Sequence, residues 1–274
     1  MLAATSTGVP TTGTREVSGT FKIHGLYCKP TKKVKKNSDT LQLLVHGITY
    51  NGSMWEGWGF GDKYNWHAYA NKQGYHTLAI DRLGHGLSTR AADPLNTVQG
   101  PMHVEIIHQL ISTVRGNTSA NLLGKGFSKI AYKSAAIHDP TRFPGVPYGY
   151  LTFPEESIRT AIMYGGAFDP AIAAFDFAHT DSCTIGEVGT NPWILQGSPG
   201  HTTPVMTTVG SKDVVFCPDG KAACEAVLAE TQNVFPDSPH YEYYVPDNTA
   251  HDLTVHYSAP KTFKKAHEFL DRWL

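Results

Sequence analysis

The order in which strand-like and helix-like segments alternate constrains this chain more than any single motif. Thr20–Tyr27 and Leu41–Val45 are rich in β-branched, aromatic and aliphatic residues and are bounded by turn formers, the pattern of strands. A helix is predicted from about Lys63 to Gln73, closed by Gly74 as a C-terminal cap, and Tyr75–Ile80 is a short apolar run that stops at Asp81. From Met102 to Val114 the residues Ile106, Ile107, Leu110, Ile111 and Val114 recur at helical spacing, with Pro101 suited to the first turn and Gly116 to the exit. Ile130-Ala131-Tyr132 reads as the next strand. This alternation predicts an α/β fold: a mostly parallel sheet with helices on both faces.

The texture changes between His138 and about Pro204, where Pro, Gly and aromatic residues abound and only Glu155–Tyr164 and Pro170–Ala178 read as helices. That is the composition of a cap or lid. The sheet pattern resumes with Pro204–Val209, a helix near Lys221–Glu230, a strand near Tyr241–Val245 and a closing helix from about Lys261 to Leu274. The expected organisation is therefore 1–136 as the N-terminal half of a core, 137–203 as a cap-like insertion and 204–274 as the C-terminal part of the core.

Charge excludes several partners. Lys and Arg number 23 against 24 Asp and Glu, so no global field favours nucleic acid or an anionic membrane. No uncharged apolar stretch approaches the ~18 residues of a bilayer-crossing helix, and no signal peptide is visible, so the expectation is a soluble protein, cytoplasmic or secreted. Lys29, Lys32, Lys33, Lys35 and Lys36 read as a solvated hairpin tip that blunts a sheet edge. Cys28, Cys183, Cys217 and Cys224 form no C-x-x-C pair. Cys217 and Cys224 are close enough to bridge one loop, with buried or free thiols as the alternative. Asn51-Gly52-Ser53 and Asn117-Thr118-Ser119 fit the glycosylation acceptor pattern, which matters only in a secreted protein. His103 and His108 are five apart and do not share a helix face, so neither a metal nor another cofactor is expected.

In a parallel α/β sheet the functional groups sit just past the carboxyl ends of the strands. Here those ends carry His46-Gly47-Ile48, the run from Asp81 to Ser88, Asp213 after Val209-Gly210, and His251 after Tyr244-Val245. In order and spacing they resemble the α/β-hydrolase superfamily, and fungal ester-hydrolase-like members in particular, over Leu41 to Gly116 and again from Ile137 onward. The resemblance implies an oxyanion-holding loop at His46, Gly47 and Ile48, an acid at Asp213 and a general base at His251. It also implies a structural turn at Asp81–Ser88 and a small apolar ester-like substrate or ligand.

One part of that pattern is missing. The superfamily places its nucleophile on a strand-to-helix elbow, G-x-S-x-G. Gly126-Phe127-Ser128-Lys129-Ile130 lacks the second glycine and precedes the predicted strand, and Gly84-His85-Gly86-Leu87-Ser88 has glycine at its centre. Ser134 is the only hydroxyl directly after Ile130–Tyr132, and bulky Tyr132 stands two residues before it. Only 80 residues separate Tyr132 from Asp213, too few for a cap, an elbow helix and a further inner strand. The expectation is an incomplete fold that has lost its elbow, with an Asp–His pair, no serine, and weak or absent hydrolysis. The alternative is a non-catalytic ligand-binding protein or the product of an aberrant transcript.

Overall fold

The computed structural model describes residues 13, 16–32, 34, 36–115, 132–190, 200–217 and 219–273. Strands β1 (Gly25–Cys28), β2 (Leu41–Val45) and β3 (His76–Ile80) form one sheet in the order β1-β3-β2. β2 and β3 run parallel, with Leu43 opposite Leu78 and Val45 opposite Ile80, while β1 pairs antiparallel with β3. β7 (Val205–Thr208) and β8 (Tyr241–Tyr244) form a second parallel pair. β4 (Lys133–Ser134), β5 (Tyr150–Thr152) and β6 (Cys183–Thr184) make a small antiparallel sheet.

The helices are α1 (Trp66–Lys72), α2 (Gly100–Arg115), α3 (Ala135–His138), α4 (Glu156–Met163), α5 (Pro170–Ala178), α6 (Ile185–Thr190), α7 (Lys221–Thr231) and α8 (Ala259–Trp273). Local chemistry sets several starts. The Asn65 side chain accepts from the Ala68 N–H to cap α1, and Asp169 accepts from Ala171 to cap α5, with Pro170 in its first turn. α8 is amphipathic: Ala259, Thr262, Phe263, His267 and Phe269 are buried. Its Phe263 ring lies 4.9 Å from Trp66 and 5.8 Å from Tyr69, which seats α8 on α1.

Four expectations need correction. β3 lies between β1 and β2, so the lysine-rich segment is a connection across the sheet and not a hairpin tip; Lys33 and Lys35 lie outside the described residues. β1 begins at Gly25, because Lys22 and His24 spend their backbone N–H groups on the Thr89 and Ser88 hydroxyls. Tyr132 is irregular, so the expected strand does not include it, and the strand after it, β4, pairs antiparallel with β5; Ile130 and Ala131 lie outside the described residues. Segment 137–203 holds β5, β6 and α6 in addition to the two expected helices. Short two- and three-residue strands leave too little periodicity to read from sequence. Leu151, Phe153, Met163, Tyr164, Ile172 and Val188 from this segment share one buried cluster with Ile48, Tyr50 and Phe263.

The loops after β7 and β8 are packed backbone to backbone. A β-carbon on Gly210 would stand 2.2 Å from the Thr249 carbonyl oxygen and 2.5 Å from that of Ala250. Gly210→Ala should therefore cost about 1–3 kcal/mol or more through overpacking. Urea unfolding measures this, and an unchanged midpoint would mean that the two loops are not so closely joined.

Candidate active site

The two loops that Gly210 joins carry Asp213 and His251. Lys212 donates its N–H to the Thr249 carbonyl at 2.8 Å, and Ser211 donates to Pro246 at 3.1 Å. This clasp places the His251 Nδ1 3.0 Å from Asp213 Oδ2. The other oxygen, Oδ1, accepts from the Val215 and Phe216 N–H groups at 2.8 and 3.1 Å. Asp213 is 2% exposed, so its carboxylate is held by three donors in a nearly dry site. With Nδ1 donating, the neutral imidazole carries its lone pair on Nε2.

The loop after β2 is built differently. His46 is buried; its Nε2 accepts from the Arg82 N–H at 2.9 Å and its Nδ1 donates to the Gly47 carbonyl at 2.6 Å. Burial first, then the charges of Arg82 and His85, push its pKa well below the ordinary value, so it is a neutral latch between strand ends. Gly47 is exposed and the Ile48 side chain is in the core. Thr49 then takes a left-handed φ of 62°. Its hydroxyl accepts from Arg159 at 2.9 Å and its carbonyl from the Asp181 N–H at 3.0 Å. Arg159 in turn holds Asp176 through two 2.7 Å bonds, joining α4 to α5.

The two loops meet at the residues that follow them. Asp252, next to His251, accepts from the Thr254 hydroxyl at 3.0 Å and faces Tyr50. Burial, then the nearby Asp176 carboxylate, push the Asp252 pKa up to about 6, against the pull of Tyr50, Thr254 and Arg159. Ser134 is elsewhere in chemical terms. It stands opposite Leu151 in β4, has an ordinary φ of −59°, and its buried Oγ has no hydrogen-bond partner, so it is not bonded to His251.

The run from Asp81 to Ser88 ties loops together. Asp81 accepts from the Gly52 and Leu87 N–H groups at 2.7 and 2.9 Å and from His24 Nδ1 at 3.0 Å. Beside it lies a cluster that sequence reasoning missed. Glu187 Oε1 is 2.9 Å from Arg82 Nη1 and 3.0 Å from the Nε2 atoms of both His85 and His103, although the His103 contact lacks hydrogen-bond angles. His85 donates from Nδ1 to the Tyr50 carbonyl at 3.1 Å. His85, His103 and Glu187 offer ligand atoms within 4.8 Å of one another, the one set among the described residues that could hold a metal ion. Arg82 already supplies the positive charge there, which opposes a second cation on the same carboxylate. His103 faces this cluster from α2, whereas His108 lies beside Glu105, so the two do not converge. The Asn51 amide is engaged by Ser53 and Asp181; Asn117 lies outside the described residues.

No known sequence family and no curated protein matches this chain. Solved structures do. An esterase from Exiguobacterium antarcticum is 15% identical with a TM-score of 0.57, covering 92% of this chain and 96% of its own. Bromoperoxidase from Bacillus anthracis is 13% identical with a TM-score of 0.58, covering 91% and 96%. A soluble variant of monoglyceride lipase from Saccharomyces cerevisiae is 12% identical with a TM-score of 0.55, covering 97% and 96%. Identities this low speak to architecture alone: the chain has the α/β-hydrolase fold.

The Glu187 cluster predicts the response to acid. Burial would raise the Glu187 pKa, but His85, Arg82 and His103 together hold it well below 4.5. Its stabilisation is present above about 4.5 and is lost as pH falls toward the folded value. His103, kept at about 4 chiefly by burial and then by Arg82, stays neutral while the unfolded chain protonates below 6.5. Both effects remove stability as pH falls. Glu187→Gln should cost about 3–5 kcal/mol at neutral pH, as for a broken buried ion pair. Urea unfolding as a function of pH should show the gap to wild type narrowing below about pH 4.5; a pH-independent gap would contradict this account.

Proposed function

We propose that this chain is an ester- or acyl-hydrolase-type protein that keeps the acid and base of a catalytic triad, Asp213 and His251, and an oxyanion loop at His46-Gly47-Ile48, and lacks the nucleophile they would serve. The observation that carries this reading is the 3.0 Å bond between His251 and Asp213, on loops that follow paired parallel strands in the acid-then-histidine order of this fold. In that role Asp213 fixes the proton on Nδ1. The Nε2 atom takes a proton from an attacking hydroxyl and returns it to the leaving group. The Ile48 N–H is the donor for the developing oxyanion. Neighbours named esterase and monoglyceride lipase support a small apolar ester-like substrate, with the aromatic-rich segment 137–203 as its lid.

The nucleophile is missing from the sequence pattern itself. Against G-x-S-x-G, Gly124-Lys125-Gly126-Phe127-Ser128 has glycine at the centre and serine two places on. These residues lie outside the described ones. The near-complete coverage of the esterase supports a replaced central residue over the deletion that the spacing suggested. Loss of a triad serine lowers turnover about 10⁶-fold while binding groups persist. The same glycine therefore favours a second reading, a ligand-binding protein of this fold without turnover.

Wild-type protein should resist a serine-reactive fluorophosphonate and hydrolyse p-nitrophenyl esters at background rate. An ester ligand that raises the melting temperature without being consumed would mark the second reading. Gly126→Ser with Ser128→Gly restores the G-x-S-x-G pattern. Esterase rate should rise by up to the roughly 10⁶-fold that loss of a triad nucleophile costs, and His251→Ala in that background should remove the gain. Fluorophosphonate labelling of a serine in the wild type would refute the reading.

A further inference from the structure

Beside the backbone clasp between the two loops, the contacts that aim the Asp213 carboxylate lie in one turn. The Cys217 N–H donates to the Asp213 carbonyl at 2.9 Å and closes it. Inside the turn, Val215 and Phe216 donate to Asp213 Oδ1, and the Phe216 ring centroid is 5.2 Å from that of His251. The far end is cross-linked: Cys217 is bonded to Cys224 in the first turn of α7, across a separation of seven residues. Cys224 is fully buried and packs with Val209, Leu228 and Val245, residues of the β7 and β8 ends and of α7. The turn that presents the acid is thus covalently fastened to a helix seated on the same two strands.

We propose that the Cys217–Cys224 disulfide is a positioning element for Asp213, holding the 213–217 turn so that the carboxylate meets the His251 imidazole, and that two-electron reduction by a dithiol releases it. A dithiol thiolate attacks one sulfur to form a mixed disulfide, and its second thiol displaces that cysteine. The reductant leaves as its cyclic disulfide, the bond between Cys217 and Cys224 is broken, and each of these two cysteines takes up one of the two protons that the dithiol gives up. Cys217 is 4% exposed and Cys224 0%, so exchange requires the turn to open and is slow in the folded protein. The biological use of the released state rests on the reading of Asp213 and His251 given above. The bond being positioned does not.

The test therefore reads the bond and not turnover. A His251 Nδ1 proton donated to a carboxylate should give a proton magnetic resonance downfield of the amide range, assigned by its loss in His251→Ala. Reduction by dithiothreitol, with both free thiols counted by alkylation and mass spectrometry, should broaden or abolish it, as should Cys217→Ala/Cys224→Ala. Leu228→Ala, which loosens α7 with the disulfide intact, should retain it. A resonance that persists unchanged after verified reduction overturns the proposal, as does one lost equally in Leu228→Ala. Reduction of the wild type supplies the answer if the double variant fails to fold. Failure of Gly126→Ser with Ser128→Gly to gain esterase activity would count against the hydrolase reading and leave this result standing.

Discussion

A guanidinium that is 1% exposed persists in an apolar interior only if its charge is met and its N–H groups are bonded. Arg159 satisfies both conditions. Asp176 takes its fork through two oxygens, Thr49 accepts a third N–H, and the Tyr50 ring lies 4.5 Å from the guanidinium carbon. Burial works against the charge, but Asp176 and Tyr50 hold the pKa above its ordinary value. One ion pair thereby joins α4, α5 and the Thr49 hydroxyl immediately beyond His46-Gly47-Ile48. Removing either partner would strand a charge among Met163, Tyr164 and Ile172, so the loop geometry and the helix packing stand or fall together.

The second buried network performs the corresponding task on the other side. Glu187 on α6 faces His103 on α2 and Arg82 and His85 in the turn after β3, so three elements distant in sequence converge on one carboxylate. Tyr50 belongs to both systems. Its carbonyl accepts from His85 and its ring faces Arg159. The candidate oxyanion loop is thus gripped from two directions by charges the solvent does not reach. The Asp213–His251 loops rely instead on close backbone approach and a covalent tie.

What could be read from sequence follows the length of each signal. β2 and α5 match their predicted bounds, and α2, α7 and α8 fall within a few residues of theirs, because four or more turn-bounded apolar positions, or several helical repeats, leave an unambiguous period. Asp213 and His251, which the structure pairs at 3.0 Å, stand out in the sequence as candidates because each follows such a strand. Arg159, Asp176 and Glu187 do not. A buried charge is indistinguishable in sequence from a surface one until its partner is known, and these partners lie 17 and roughly a hundred residues away. The β1-β3-β2 order was also hidden, because proximity in sequence suggested pairing where the structure inserts a later strand.

That insertion has a consequence for how the chain assembles. β1 and β2 have no hydrogen-bonded contact with each other in this sheet and can be held side by side only after β3 arrives between them. The N-terminal region therefore cannot nucleate as a local ribbon during synthesis. Its strands wait for a partner synthesised after the first helix, and Asp81 accepts from Gly52 and His24 only once that partner has docked. Such dependence on distant pairing slows the search for the native arrangement.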